Sequence, residues 1–417
     1  MLLGCIADDL TGATDLGVNL AREGLSVIQV NGVPGALAVP AADAVVVALK
    51  SRTTPAADAV AQSLAALAWL RDRGAERIYF KYCSTFDSTP RGNIGPVTEA
   101  LQAAFGAGIV PATPAYPRNG RTVYLGHLFV GDVALSDSGM RNHPLTPMTD
   151  SNLVRVLAAQ SSGRVGLVRH SDVDAGVGAV RERLATLAAE GFAHAIVDAT
   201  TDLHLIAAGQ ACVALPLTTG GAGFAVGLAR ALRDRAGAGG GAWAPPSTRG
   251  PVAWLSGSCS QATLAQVAAA RDTVPSFRLD PLELAADPDL AARIAALAVS
   301  ALGDKPVLVY ATASPDAVAE AQRTLGVEHA ATLVEDAFRR AARALAGAGV
   351  RTFVVAGGET AGAVVETLGV RALAIGPEID PGVPWTRAVG GDPYWLALKS
   401  GNFGSPGFFA KATAALG

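Results

Sequence analysis

Short runs of apolar, β-branched residues alternate along this chain with longer Ala/Leu-rich amphipathic stretches, and that alternation leaves few folds open. It predicts an α/β protein, with a mostly parallel sheet covered by helices. The first series reads as strand at LLGCIA, LSVIQV, DAVVVAL, ERIYFKY, RVGLVR and HAIVDA, with helices such as TGATDLGVNLAREG and AADAVAQSLAALAWLRDRG. It stops at AGAGGGAWAPPSTRG, residues 236–250, where a glycine run and a Pro-Pro pair without periodicity match an exposed interdomain linker. Beyond it the series restarts with PVAWLSGS, SFRLD, KPVLVYA, RTFVVAGG and RALAIGP. At 417 residues two domains are the default, so we place an N-terminal domain at about 1–240 and a C-terminal α/β domain at about 251–417.

Composition removes several classes of function. Half the residues are hydrophobic, 17% are charged and the net charge is −3, so nothing draws the chain to nucleic acid or to an anionic membrane. Cys5, Cys83, Cys212 and Cys259 are scattered without a CxxC, which suggests neither disulfides nor a zinc site and fits a reducing cytoplasm. The opening MLLGCIA lacks a basic flank and breaks at Asp8, so no targeting segment is expected; no later apolar run reaches the roughly 18 residues of a membrane span. Of 33 basic residues only Lys50, Lys81, Lys305, Lys399 and Lys411 are lysines, so a lysine inside a motif draws notice.

In open α/β sheets ligands sit beyond the carboxyl ends of the strands. Two adjacent acids, Asp8 and Asp9, stand there after LLGCIA and need donors, water, a metal or a substrate to be tolerable. Thr11 is the expected cap of the helix that follows, with Asp15 in its first turn. FKYCSTFDSTPRGNIGPV, residues 80–97, then gathers Lys81, Ser84, Thr85, Asp87, Ser88, Thr89, Arg91 and Asn93. Such a set can hold a polyhydroxylated anion, Lys81 or Arg91 taking a carboxylate and the Ser and Thr side chains taking hydroxyls; the plainer alternative is ordinary turn chemistry. Residues 126–148, with His127, Asp132, Asp137, Arg141 and His143, read as a long lid or binding loop.

The second half offers three turns suited to anions. Ser256-Gly257-Ser258 follows a strand and precedes a helix, and its free amides and hydroxyls suit an oxyanion. Gly357 and Gly358 repeat the design with Thr360 as a cap, and Gly401 and Gly404 lead to Ser405 as N-cap and Pro406 as first helical residue. Three such turns suggest a nucleotide. There is no GxxxxGK[ST], and GGAGFAVG has the wrong glycine spacing for a dinucleotide fingerprint.

Taken together, ADDLTGATD, FDSTPRGN, GGETAG and KSGNFG resemble the four-carbon acid sugar kinase family, over essentially the whole chain and in order. The long form KYCSTFDSTPRGNIGPV and the HPLTPM segment are similar to its 3-oxo-tetronate kinase branch. The resemblance implies a sugar-acid-binding first domain, a nucleotide-binding second domain and an active site in the cleft between them. It further implies ATP-dependent phosphorylation of the terminal 4-hydroxyl of a 3-oxo-tetronate, with Ser258, the run Gly357, Gly358, Glu359 and Thr360, and Gly404 against ATP.

On the physics of phosphoryl transfer, Mg²⁺ is expected to bridge phosphate oxygens, with no protein ligand set identified for it; Asp8, Asp9 and Asp87 are candidate bases, Asp9 favoured. Glu359 is assigned to a metal water or the ribose, helix starts at 258, 358 and 404 to the phosphates, and domain closure about the linker to excluding water. The expected partners are a small sugar acid and ATP, with a homo-oligomer left open. Rival readings are a threonate or erythronate kinase, and a non-catalytic sugar-acid sensor.

Overall fold

The computed structural model describes residues 1–143, 146–235, 243–247 and 250–416. Most of the expected linker, with Pro144 and Leu145 of HPLTPM, lies outside the described residues. Two compact units divide the chain, Met1–Gly241 and Ala242–Gly417.

The first unit contains β1 (Leu3–Ala7), β2 (Val27–Asn31), β3 (Ala44–Ala48), β4 (Ile78–Lys81), β5 (Val110–Thr113), β6 (Arg121–Tyr124), β7 (His127–Val130), β8 (Val133–Ala134), β9 (Val165–Val168), β10 (His194–Val197) and β11 (Leu217–Gly220). Its main sheet runs β2-β3-β1-β4-β11-β5-β10-β9, every neighbouring pair parallel. Parallel sheets are covered on both faces, which is why β1 (LGCIA) and β3 (AVVVA) are small or apolar and buried at every position. Each valine so buried contributes about 1.5–3 kcal/mol relative to exposure. The chain leaves β1 toward β3 and β2 on one side and reaches β4 on the other. That change of direction opens a crevice at the carboxyl ends of β1, β3 and β4.

Much of the segment read as a long lid or binding loop carries regular structure. Strands β6, β7 and β8 form an antiparallel ribbon, continued by 3₁₀ turns at Leu135–Asp137 and Gly139–Asn142. Buried Asp198, just past β10, accepts the backbone N–H groups of Leu125 (2.7 Å), Gly126 (2.8 Å) and His170 (2.9 Å) and fixes the base of the ribbon.

The second unit contains β12 (Val252–Ser256), β13 (Ser276–Arg278), β14 (Val307–Tyr310), β15 (Thr352–Ala356), β16 (Ala372–Asp380), β17 (Val383–Ala388) and β18 (Trp395–Lys399). The order is β13-β14-β12-β15-β18-β17-β16, parallel except for β17, which runs against both its neighbours. One core packs Phe338 and Leu345 of the Val327–Gly347 helix against Phe353 and Leu396; another stacks Trp254 on Phe409, ring centroids 5.4 Å apart. Here too the first strand, β12, sits inside the sheet with β14 on one side and β15 on the other, and the turns after β12, β15 and β18 share one edge.

Candidate active site

The end of β1 is stitched to its neighbours through the backbone of one acid. Asp8 N–H donates to Lys81 O (3.0 Å), and Asp8 O accepts from Ser51 N (2.9 Å) and Arg52 N (3.2 Å). This brings Arg52, which sequence reasoning missed, onto the acid pair. Its Nε and Nη2 donate to Asp8 Oδ2 and Oδ1, both at 2.9 Å, and Nη2 also lies 2.8 Å from Asp9 Oδ1. One guanidinium therefore makes two adjacent carboxylates tolerable. Burial pushes the Asp8 carboxyl up and Arg52 pulls against it. Burial likewise works against the Arg52 charge, but the Asp8 carboxylate outweighs it and holds that group above its ordinary value.

Asp9, not Thr11, caps the Leu10–Arg22 helix, accepting from Gly12 N at 3.0 Å. The helix begins earlier than expected, so Asp15 falls beyond its first turn. It bonds to Asn19 Nδ2 (3.1 Å) and the Tyr116 hydroxyl (3.5 Å), its carboxyl raised by burial while Lys81 pulls it back. A Cβ on Gly12 would lie 2.2 Å from both Asp9 Oδ1 and Lys81 Nζ, so only glycine lets this ammonium approach the helix start. Lys81 is 4% exposed, and among the described residues its ammonium has neither an ion-pair nor a hydrogen-bond partner.

Beyond β4 the chain is held in a strained turn. Phe86 has φ +52°, which a non-glycine residue adopts only when its surroundings impose it. Its buried ring meets Tyr82 edge-on at 5.2 Å. Asp87 Oδ1 accepts from Thr85 Oγ1 (2.6 Å), which also contacts Cys83 Sγ (2.9 Å). Burial pushes the Cys83 thiol up to about 11, with Asp87 adding to the shift and Arg52 and Lys81 opposing it, so it stays a neutral thiol amid these charges.

Ser88 is buried, its hydroxyl donating to Gln160 Oε1 (3.0 Å), and Asn93 ties the Arg52 turn by donating to Ser51 O (2.7 Å). Ser84 is half-buried in the same turn and Arg91 is exposed. Among the described residues, Thr89 and Arg91 make no hydrogen bond or ion pair with the Asp8, Asp9 and Lys81 group. The structure thus brings Asp8, Asp9 and Lys81 together at the end of β1, and Asp87, Arg52 and Lys81 all act on the Cys83 thiol.

In the second unit the turns after β12 and β15 interlock. Gly357 has φ +123°, and a Cβ there would stand 3.0 Å from Ser258 N. The Gly257 and Ser258 amides, expected to be free, both donate to Ala356 O (3.0 and 3.2 Å). No helix starts at 258: Gln261–Ala270 begins later, capped by Ser260. The helix after β15 is Gly358–Thr367, its N-cap is Gly357, and Thr360 is a buried residue of its first turn. The amides of Gly358, Glu359 and Thr360 open this helix and are the groups an anion would meet.

No helix starts at 404 either. Gly404 (φ +86°) belongs to a turn, the next helix is Phe408–Ala414 with Gly407 as N-cap, and Ser405 gives both N–H (2.8 Å) and hydroxyl (2.9 Å) to Asp380. Beside Gly257 and Thr360 opens a cavity of about 390 Å³, walled by Ala311, Ala313, Ala317, Val318, Ala331 and Val334, with Glu359 at its margin. Nothing in the sequence marked this alanine-rich wall, which has the size and apolarity to receive a purine.

Two family models match the chain: one described as a sugar-binding N-terminal domain over residues 3–228, the other as a nucleotide-binding C-terminal domain over residues 253–409. With the two-unit fold, these matches place the chain in a class of proteins that join a sugar-binding half to a nucleotide-binding half. It is 56% identical to a 3-oxo-tetronate kinase of Burkholderia multivorans, covering 100% of this chain and 97% of that protein. It is 54% identical to a 3-oxo-tetronate kinase of Pseudomonas savastanoi pv. phaseolicola, covering 99% and 96%. A crystal structure from Salmonella typhimurium LT2, whose description proposes a tRNA synthase, superposes with a TM-score of 0.93 at 45% identity, covering 98% of each chain. The chain belongs to the four-carbon acid sugar kinase family, in its 3-oxo-tetronate kinase branch.

Proposed function

We propose that this chain transfers the γ-phosphoryl group of ATP to the terminal 4-hydroxyl of a 3-oxo-tetronate, giving the 4-phosphate. The observation that carries the reading is Lys81, a buried ammonium without a protein partner set against Asp9 at the start of a helix. Asp8, Asp9 and Asp15 lie near this ammonium but none bonds to it directly, so its donors are left for the carboxylate or hydroxyls of a small acid.

Asp9 is the base the geometry favours among the three acids. Both oxygens of Asp8 are engaged by Arg52, whereas Asp9 uses Oδ1 for Gly12 and Arg52 and keeps Oδ2 without a partner among the described residues. That oxygen can take the proton of the attacking hydroxyl. Asp87, whose Oδ1 already accepts from Thr85, would use its other oxygen for a substrate hydroxyl. In the second unit the amides of 358–360 would hold phosphate oxygens and the alanine-lined cavity the base.

Among the described residues, no three His, Cys, Asp or Glu side chains form a metal site. Mg²⁺ is commonly carried by substrate phosphates with one or two carboxylates; exposed Glu359 is the residue suited to one of its waters, and the ion would supply charge neutralisation. A tRNA partner is disfavoured by the net charge of −3.

The test is ADP release with ATP and each 3-oxo-tetronate isomer, beside threonate and erythronate. Turnover confined to the oxo acids is expected. Faster turnover of the reduced acids would move the chain to the sister activity, and acid binding without ADP release would make it a sensor.

A further inference from the structure

The KSGNFG turn engages its carbonyls and leaves its amides open. Ser400 O accepts from Lys399 Nζ and from Phe403 N, both at 3.2 Å. Gly401 O accepts from Ser260 Oγ (2.5 Å), Thr263 Oγ1 (2.8 Å) and Lys399 Nζ (3.1 Å). Phe403 O accepts from Gln266 Nε2 at 3.0 Å. In a trans peptide the carbonyl and the following N–H point in opposite directions. The amides that follow these three carbonyls belong to Gly401, Asn402 and Gly404, and none has an acceptor among the described residues. Each tied oxygen thus turns one nitrogen the other way, the polarity a bound oxyanion requires.

Lys399 is the hinge pin of this arrangement. It closes β18, is 2% exposed, and donates to Thr263 Oγ1 (2.8 Å) as well as to the two carbonyls. All three acceptors are neutral, so the ammonium is buried without a counter-charge. A buried charge without a counter-charge is costly, so its retention calls for a role beyond packing. We propose that Lys399 is a positioning residue for the phosphates: it holds the Ser400 and Gly401 carbonyls inward, aims the Gly401, Asn402 and Gly404 amides at phosphate oxygens, and sets a fixed positive charge beneath them. This rests on reading this edge of the second unit as the nucleotide site.

Burial lowers the Lys399 pKa to about 8 and is its only cause. The charged groups on the elements around it, Glu359 and Glu366 after β15, Arg387 on β17 and the Asp380–Lys411 pair, do not contribute. Above that pH the amine keeps two donors for three acceptors and loses its charge. Nucleotide affinity should therefore fall as pH rises.

The experiment is calorimetric titration of the full chain with ADP between about pH 7.5 and 9.5, for wild type and Lys399→Met, with acid KM and kcat measured alongside. Wild-type affinity should weaken about tenfold across that range, and Lys399→Met should start about tenfold or more weaker and show a flat profile, with acid KM unchanged. Wild-type affinity and profile in Lys399→Met would overturn the proposal. If that variant fails to fold, the wild-type profile decides alone, and a flat one overturns it. No ADP binding by wild type at any pH would overturn the reading of the site itself, a failure distinct from that of Lys399.

Discussion

Replacing Arg52 with glutamine would strip Asp8, 3% exposed, of the fork that holds both its oxygens, and would leave the acid pair to repel. With Arg52 itself partly exposed, the loss should be about 2–3 kcal/mol of unfolding free energy, read by urea denaturation, and Arg52→Lys should recover little because an ammonium cannot bridge bidentately. Asp9→Asn should behave differently: fold and melting temperature near wild type, kcat down by about 10²–10⁴ at saturating substrates. Near-normal turnover would remove Asp9 from the role of base. The acid pair and Lys81 were legible as a place of interest because like charges repel where an apolar strand ends and lysines are few, even though Asp9 does serve as the helix cap. Arg52 was not, since its partners lie 44 residues away in sequence and nothing in KSRTTP separates it from the many other arginines.

At the scale of elements, the turn between β18 and the last helix depends on Asp380 at the end of β16. Burial opposes ionisation there, but Lys411 and Ser405 outweigh it and hold the carboxyl below its ordinary range. A group with a depressed folded pKa stabilises above its unfolded value, and that stability is lost as pH falls through the depressed one. Asp380→Asn should thus cost about 1.5–3 kcal/mol near neutral pH, and its denaturation curve should converge on wild type in acid. This contact also explains why Ser405-Pro406 was misread: a serine before proline looks like a cap, but its donors are claimed by an acid 25 residues upstream. Likewise β5 (VPAT) and β11 (LTTG) escaped notice because four residues rich in proline, threonine and glycine look like turns until neighbouring strands bury them.

For the molecule as a whole, each unit uses one scheme, the first of its strands in sequence not at the edge of its sheet and candidate site residues in the turns beyond it, and the turns could be read from the alternation of strand and helix signals. The cavity could not, because alanines dispersed over residues 311–331 become a wall only when the turn after β14 and the two helices that follow it fold together. Filling it tests the division of labour. Ala317→Phe should raise the KM for ATP by about tenfold or more and leave the KM for the acid unchanged, as steady-state kinetics with each substrate varied will tell. The two grips also differ in what mutation can reach. On the proposed function the acid would be gripped by ionised side chains, any of which a single codon change can exchange; the phosphates would face peptide nitrogens, which every amino acid except proline supplies. On that reading the first half is freer to drift toward new acids while the donor stays the same, with tolerance in the second half failing mainly at its glycines, at Lys399 and in the cavity wall.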